Sequence, residues 1–309
     1  MKTATPALQA QSHKPRGMDD KVFDTIALIV CLLILLVVVY PLWYVIICSF
    51  SDPNAVTGGQ VVWLPVGWTL EGYNTILDYS PIWIGYRNTL IYALVGTAFN
   101  LGLTLPCAYA LARPDFKGRN LFMMLFTFTM FFSGGTIPTY MTMKNLGTLN
   151  TIWAMILPGA VNVMNLIIAR TYFANSVPYE IQEAAMIDGC SNTKMFLRIV
   201  MPLAMPMIAV IMLYYLVTHW NVYFRALLYI SDPDKYPLQL YLRNILLFDQ
   251  MLDMMEGDAE ALEAMTRRLQ LRASIKYGIV VVSSLPVLIL YPLLQKYFAK
   301  GVMVGAVKG

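Results

Sequence analysis

Six stretches of the chain, at 22–48, 87–111, 121–143, 151–173, 196–223 and 275–298, are apolar round the whole helical turn and not only at every third or fourth position. A helix that is apolar on all sides is either deeply buried or in lipid. About 20 such residues cross roughly 30 Å of hydrocarbon, so each stretch is long enough to span a bilayer. The polar positions gather between the stretches, most of them at 51–86, 177–202 and 231–272. The pattern predicts an all-α, polytopic membrane protein of about six transmembrane helices. It divides into a polar tail at 1–21, a first helix and a connecting segment at 22–84, a core at 85–298, and a tail at 299–309.

Composition sharpens this. In 309 residues, 58% are hydrophobic and 13% charged, and the mean hydropathy is +0.59, which excludes an ordinary soluble domain. Basic residues then orient the spans. Lys14, Arg16 and Lys21 precede the first span, Arg113, Lys117 and Arg119 follow the second, Lys194 and Arg198 flank the fifth, and Lys296, Lys300 and Lys308 follow the sixth. The opposite short loops hold only Arg87 and Lys144. Both termini and the segment 177–202 are therefore expected in the cytoplasm, and the net charge of +4 reads as topology and not as nucleic-acid affinity. The apolar run from Val22 is too long for a cleaved signal, and no small-residue cleavage site follows it. Cys31, Cys48, Cys107 and Cys190 imply no disulfide framework and, with His13 and His219, no metal site.

The cytoplasmic segment 177–202 is too polar for lipid and too short for a domain. Pro178 suits a first helical position, with Asn175 and Ser176 available as caps. Asp188-Gly189 stops that helix, since Gly189 takes the left-handed conformation cheaply, and Ser191 or Asn192 can cap the next. Between the stops lie Glu183, Ala184 and Ala185, a carboxylate beside two side chains small enough for another surface to approach. Elsewhere, breakers interrupt the apolar runs: Gly96, Gly102, Pro106, Gly134, Gly135, Pro138, Pro158 and Gly159. Irregular backbone at membrane depth is tolerated only beside protein or a water-filled cavity. The polar residues there, Asn100, Thr104, Asn162 and Asn165, the last two on one face at i, i+3, serve either interhelical hydrogen bonds or a substrate path. His219, Trp220 and Asn221 end the fifth span. Counted along a straight helix from Ile199, His219 lies about 30 Å up, near the outer surface, which argues against an intramembrane proton relay. Pro202 and Pro206 are expected to kink the base of this span. The part of the 231–272 loop at 251–271 alternates charges around Leu and Met and predicts a solvated amphipathic helix.

Glu183-Ala184-Ala185, three residues, Gly189, nine residues, then Ile199-x-Met201-Pro202 resembles the EAA loop of ABC-importer permeases, with Met in place of Leu. Three further stretches are similar to carbohydrate-type, MalG-like members of that family, closest to the branch for aldouronates and other complex oligosaccharides. They are the segment from Trp68 to Leu77 with Asn88-Thr89, the Trp220-Asn221 pair, and the tail from Gln295 to Gly309. The resemblance implies the type I ABC importer permease (MetI-like) fold in a prokaryotic cell membrane. It also implies four kinds of partner: a second permease, two ATP-binding subunits, an extracytoplasmic solute-binding lipoprotein, and an oligosaccharide substrate, possibly acidic. On this reading Glu183, Ala184, Ala185, Asp188, Gly189, Ile199 and Pro202 form the ATPase-docking loop, with Gly301, Gly305 and Lys308 at the ATPase interface. Asn100, Asn162, Asn165, His219, Trp220 and Asn221 are candidates for the substrate path. The 231–272 loop either covers the bundle or reaches the binding protein. Trp63, Trp68 and Trp83 are most simply interfacial anchors, with stacking on sugar as the alternative.

The sequence has no Gly-x-x-x-x-Gly-Lys-Ser/Thr phosphate loop and no nucleophile–base pair, so the chain is expected to be no enzyme and to bind no cofactor, ATP and Mg being held by its partners. A permease for a non-sugar solute is the alternative within the superfamily. A stand-alone secondary transporter, the rival from another class, would show inverted repeats and charged residues at mid-membrane.

Overall fold

The computed structural model describes residues 18–177, 179–252, 275–289 and 292. The helix expected at 251–271, Pro178 and the tail with Gly301, Gly305 and Lys308 lie outside the described residues, apart from the first two residues of that helix.

The first apolar stretch is one long helix, α1 (Met18–Ser49), whose Leu, Ile and Val side chains are exposed over nearly its whole length, as a lipid-facing helix requires. Two short helices follow in the connecting segment, α2 (Pro53–Thr57), capped by Asp52, and α3 (Glu71–Asp78). The second stretch becomes α4 (Ser80–Ala112), which starts ahead of the apolar run with Pro81 in its first turn and rises about 50 Å.

The other stretches do not form straight spans. The third divides into α5 (Arg119–Phe131) and α6 (Thr136–Asn145), set at 114° across Gly134 and Gly135. The fourth divides into α7 (Ile152–Ile156) and α8 (Val163–Ser176). Pro158 supplies no N–H there, and Asn162 caps α8 by accepting from the Asn165 N–H at 3.1 Å. Asn162 and Asn165 thus do not share a helical face, because Asn162 stands before the helix.

Beyond α8 come α9 (Tyr179–Ile187), α10 (Asn192–Met195), a π-helical turn (Phe196–Val200), α11 (Met201–Leu203) and α12 (Met205–Trp220). The chain bends by 85° between α11 and α12, between Pro202 and Pro206. The loop expected from 231 opens instead with α13 (Phe224–Tyr229) just before it, a 3-10 turn at Pro233–Lys235, and a well-packed helix, α14 (Leu238–Leu252), with Leu238, Leu240 and Leu242 buried. Last is α15 (Ile275–Ile289). Among the described residues α1 and α4 are each long and apolar enough to cross a membrane, and the two bent pairs raise this to four spans.

Helix α4 is the axis of the fold, with α8 and α12 packed along it. At one end Leu105, Tyr109, Leu166, Phe173 and Met207 form a core that also takes in Ala185 of α9 and Met195 of α10. At the other, Ile76, Ile82, Trp220, Leu238 and Ile279 form a second core. Asn88 and Thr89 anchor that end: Asn88 Nδ2 donates to the carbonyls of Asp234 (2.7 Å) and Tyr236 (3.0 Å), and Thr89 Oγ1 accepts from the Leu238 N–H (2.9 Å).

Candidate functional site

The polar loop folds as a helix with a sharp end. Gly189 has φ +73, its N–H donates to the Met186 carbonyl (3.0 Å), and the Cys190 N–H donates to the Ala185 carbonyl (2.9 Å). These are the paired bonds of a Schellman ending. Ser191 caps α10 by accepting from the Lys194 N–H. Asn175 and Ser176 are not caps of α9, because α8 continues through both. On α9, Glu183, Ala184 and Ile187 face outward, Ile187 being 86% exposed, whereas Ala185 (6%) and Gln182 (5%) face the core. The two alanines therefore differ: Ala184 leaves room outside, and Ala185 lets α9 lie close on its own bundle. Asp188 and Pro202 are exposed, and Ile199 packs on the core.

Nothing lies within 4 Å of where a Cβ on Gly189 would stand, so only its backbone conformation limits substitution. Gly189→Val is expected to lose about 1–2 kcal/mol from the left-handed φ, and Gly189→Asn clearly less. Thermal unfolding of the purified complex ranks them, and equal midpoints would show that the turn tolerates any residue.

Under α9 lies a network that sequence reasoning missed. Arg113, just past the end of α4, grips Asp115 with Nε (2.8 Å) and Nη2 (2.6 Å), while its Nη1 donates to Asn192 Oδ1 (3.1 Å) and to the Tyr109 hydroxyl (3.4 Å). The Tyr109 hydroxyl in turn donates to Gln182 Oε1 (3.3 Å), and its ring stacks on Phe196. The Arg113 guanidinium holds the Asp115 carboxyl below its ordinary range. One cation thus ties the end of α4 to α9 and α10. The only hint in the sequence was an Arg four residues after a Tyr at the end of an apolar run, and nothing there pointed to residues some 70 positions on.

A second polar centre lies deeper. Asn100 is some 18 Å along α4 from the end that carries Arg113, a distance close to half the thickness of a bilayer's hydrocarbon. Its Nδ2 donates to the carbonyls of Gly159 (3.3 Å) and Ala160 (2.6 Å), which turns Oδ1 toward His219 Nε2 at 2.6 Å. Nε2 must then carry the proton, and Nδ1 of the neutral ring is an acceptor; it is buried without a partner. Contrary to the straight-helix count, His219 does not stand at the end of one unbent axis from Ile199. The 85° bend takes the residues before Met205 off the axis, and the His219 ring lies on Gly96, halfway along α4. The Tyr215 hydroxyl bonds Thr104 Oγ1 (2.7 Å) and accepts from the Asn162 N–H (3.0 Å).

A cavity of about 530 Å³ adjoins this centre, lined by Asn162, Tyr215, Thr218, His219 and Arg225 among others. The candidate path residues thus separate. Asn100, Asn162 and His219 come together, and Asn165 is buried beside them. Trp220 turns the other way to donate to the Ser283 carbonyl (3.1 Å), and Asn221 is exposed past the end of α12.

Residues 80–304 match the family described as binding-protein-dependent transport system inner membrane component. The chain is 38% identical to the polygalacturonan/rhamnogalacturonan transport system permease protein YtcP of Bacillus subtilis, over 94% of this chain and 100% of that one. It is 40% identical to Protein LplC of the same organism, over 88% and 90% of the two chains. Among solved structures it resembles a chain of a bacterial ABC transporter involved in the import of the acidic polysaccharide alginate, with a TM-score of 0.83 and 31% identity over 93% of this chain and 100% of that chain. The fold is therefore that of an ABC importer permease, and the protein is a multi-pass membrane protein. Matched through its core and along nearly its full length, the chain belongs to the family of binding-protein-dependent transport system inner membrane components.

Proposed function

We propose that this chain is the permease subunit of an ATP-driven importer of oligosaccharides, with both termini in the cytoplasm. It works with a second permease, two ATP-binding subunits that hold ATP and Mg, and an extracytoplasmic binding protein that delivers the sugar. The observation that carries this reading is α9, which presents Glu183, Ala184 and Ile187 outward while Gln182 and Ala185 fix it to the bundle. A helix held on one face and bare on the other is built to be pushed. The relatives described for polygalacturonan/rhamnogalacturonan transport and for alginate import support a saccharide as cargo.

Closure of the ATPase pair moves α9, and the Gln182–Tyr109–Arg113 chain passes the displacement to the end of α4. Because α4 also carries Gly96 and Asn100, the cavity beside His219 changes its access with it. The tail residues Gly301, Gly305 and Lys308 belong, on this reading, at the ATPase interface.

The direct test is uptake into proteoliposomes by the purified complex. Uptake of labelled oligosaccharide that needs both ATP and the binding protein is the expected result, and uptake driven by an ion gradient without ATP would make the chain a secondary transporter. Glu183→Ala should lower transport about fivefold to thirtyfold while the chain still inserts and assembles, because one charge-assisted hydrogen bond at a partly exposed interface contributes roughly 1–2 kcal/mol. Wild-type transport in this variant would remove Glu183 from the docking surface.

A further inference from the structure

Arg225 brings a cation to the cavity beside His219. Its Nη1 donates to the carbonyls of Met155 (2.8 Å), in the last turn of α7, and Pro158 (2.7 Å), in the break that follows. Those bonds use both Nη1 hydrogens. The Nε–H and the two Nη2 hydrogens have no partner, and no carboxylate pairs with Arg225, among the described residues. Nor are these atoms sealed away, since the buried, unpartnered side-chain nitrogens and oxygens are Thr97 Oγ1 and His219 Nδ1.

The guanidinium is therefore fixed by one nitrogen and presents its Nε–Nη2 edge, two parallel donors whose spacing matches the two oxygens of a carboxylate. A charge at this depth is costly unless paired or set in a solute pathway. The cavity, about 530 Å³, lies in the size range of small-ligand sites. Around the cation the lining has unused hydrogen-bonding capacity. Asn162 Oδ1 is engaged as the cap of α8, which leaves its Nδ2 hydrogens unbonded, and Thr218 Oγ1, which donates to the Tyr214 carbonyl, still has lone pairs. Met130 and Met164 offer apolar surface to the C–H faces of a sugar ring.

We infer that this cavity is a carboxylate subsite of the translocation path, in which Arg225 takes the carboxylate of a uronic-acid residue while Asn162 and Thr218 meet its hydroxyls. The inference rests on the reading of the chain as an oligosaccharide importer permease, and it narrows the cargo to oligosaccharides that carry carboxylates.

Equilibrium dialysis of the purified permease–ATPase complex, without the binding protein, tests it with two labelled probes, trigalacturonate and neutral galactotriose. Wild type should bind trigalacturonate at least tenfold more tightly than galactotriose. Arg225→Gln should remove that preference, and Arg225→Lys should keep part of it, having the charge without the fork. Because Arg225 also braces the break after α7, Asn162→Asp serves as an independent arm. Asp caps a helix as well as Asn does, yet it sets a carboxylate in the cavity and should abolish the preference with Arg225 intact. Equal binding of both probes by wild type, no binding of trigalacturonate, or a preference that survives Arg225→Gln or Asn162→Asp overturns the subsite. If the wild-type complex with its binding protein also imports no oligosaccharide on ATP, the importer reading falls too, whereas ATP-driven import without the preference removes the subsite alone.

Discussion

Gly96→Ala should abolish transport and lower the thermal unfolding midpoint of the complex by several degrees. A Cβ on residue 96 would stand 2.5 Å from His219 Nε2 and 2.6 Å from Cε1, well inside van der Waals contact. The ring cannot swing aside freely: it is buried and bonded to Asn100, whose amide is held by two carbonyls. Either α4 and α12 separate, at about 1–3 kcal/mol for overpacking, or the Asn100–His219 bond breaks, at about 1 kcal/mol more. His219→Ala removes the obstructing ring, so the double variant should regain much of the stability that Gly96→Ala loses. That coupling is the mark of a contact pair. A wild-type midpoint and wild-type transport for Gly96→Ala would mean that the helices are not this close at mid-depth.

The second large effect is expected at Arg113. Arg113→Ala removes the two bonds to Asp115 and those to Asn192 and Tyr109, while the half-exposed Asp115 returns to water. The loss in stability should be modest, about 1–2 kcal/mol, since the carboxylate is not left buried. The loss in coupling should be larger. With the Tyr109–Gln182 link no longer anchored, ATP hydrolysis should continue while transport per ATP falls at least tenfold. Arg113→Lys, which keeps the charge but not the fork, should lie between. The pair also gives a pH dependence. Asp115 has its carboxyl pKa depressed in the folded chain, so its contribution is present above the ordinary carboxylate range and fades as pH falls through the lowered value. Asp115→Asn should remove that acid sensitivity. An Arg113→Ala complex with unchanged transport per ATP would place the coupling route elsewhere.

Together these two sites describe one helix with two jobs. Helix α4 meets the outward-facing α9 through Tyr109 and Arg113 at one end and meets the cavity through Gly96 and Asn100 at its middle. A rigid element that touches both places is what allows an event at the exposed face of α9 to alter access to the cavity.

The sequence by itself determined that the chain is helical and membrane-embedded, because six apolar stretches of spanning length in a chain with 58% hydrophobic and 13% charged residues are more than a soluble core can bury. It also determined the local form of the loop at 177–202. The end of α9 depends on Gly189 and its immediate neighbours, and the cap of α10 on Ser191. Such features are set by bonds between residues a few positions apart, so they can be read from order alone. The sequence marked the places where helices do break, Gly134-Gly135, Pro158-Gly159 and Pro202 to Pro206, but it did not separate them from Gly96, Gly102 and Pro106, through which α4 runs unbroken. Stretches 121–143 and 151–173 each contain Gly and Pro, which permit a bend without requiring one. Their division followed from partners outside them, such as Asn100 Nδ2 and Arg225 Nη1 at the carbonyls freed near Gly159. The straight-axis count from Ile199 to His219 failed for the same reason, since a rise per residue holds only along an unbent axis. Tertiary structure alone decided which polar residues meet: Arg113 with Asn192, Tyr109 with Gln182, and Asn100 with His219 are 79, 73 and 119 positions apart. At membrane depth each polar group must find a partner somewhere in the bundle, and which one it finds depends on how the helices pack, which no local pattern encodes.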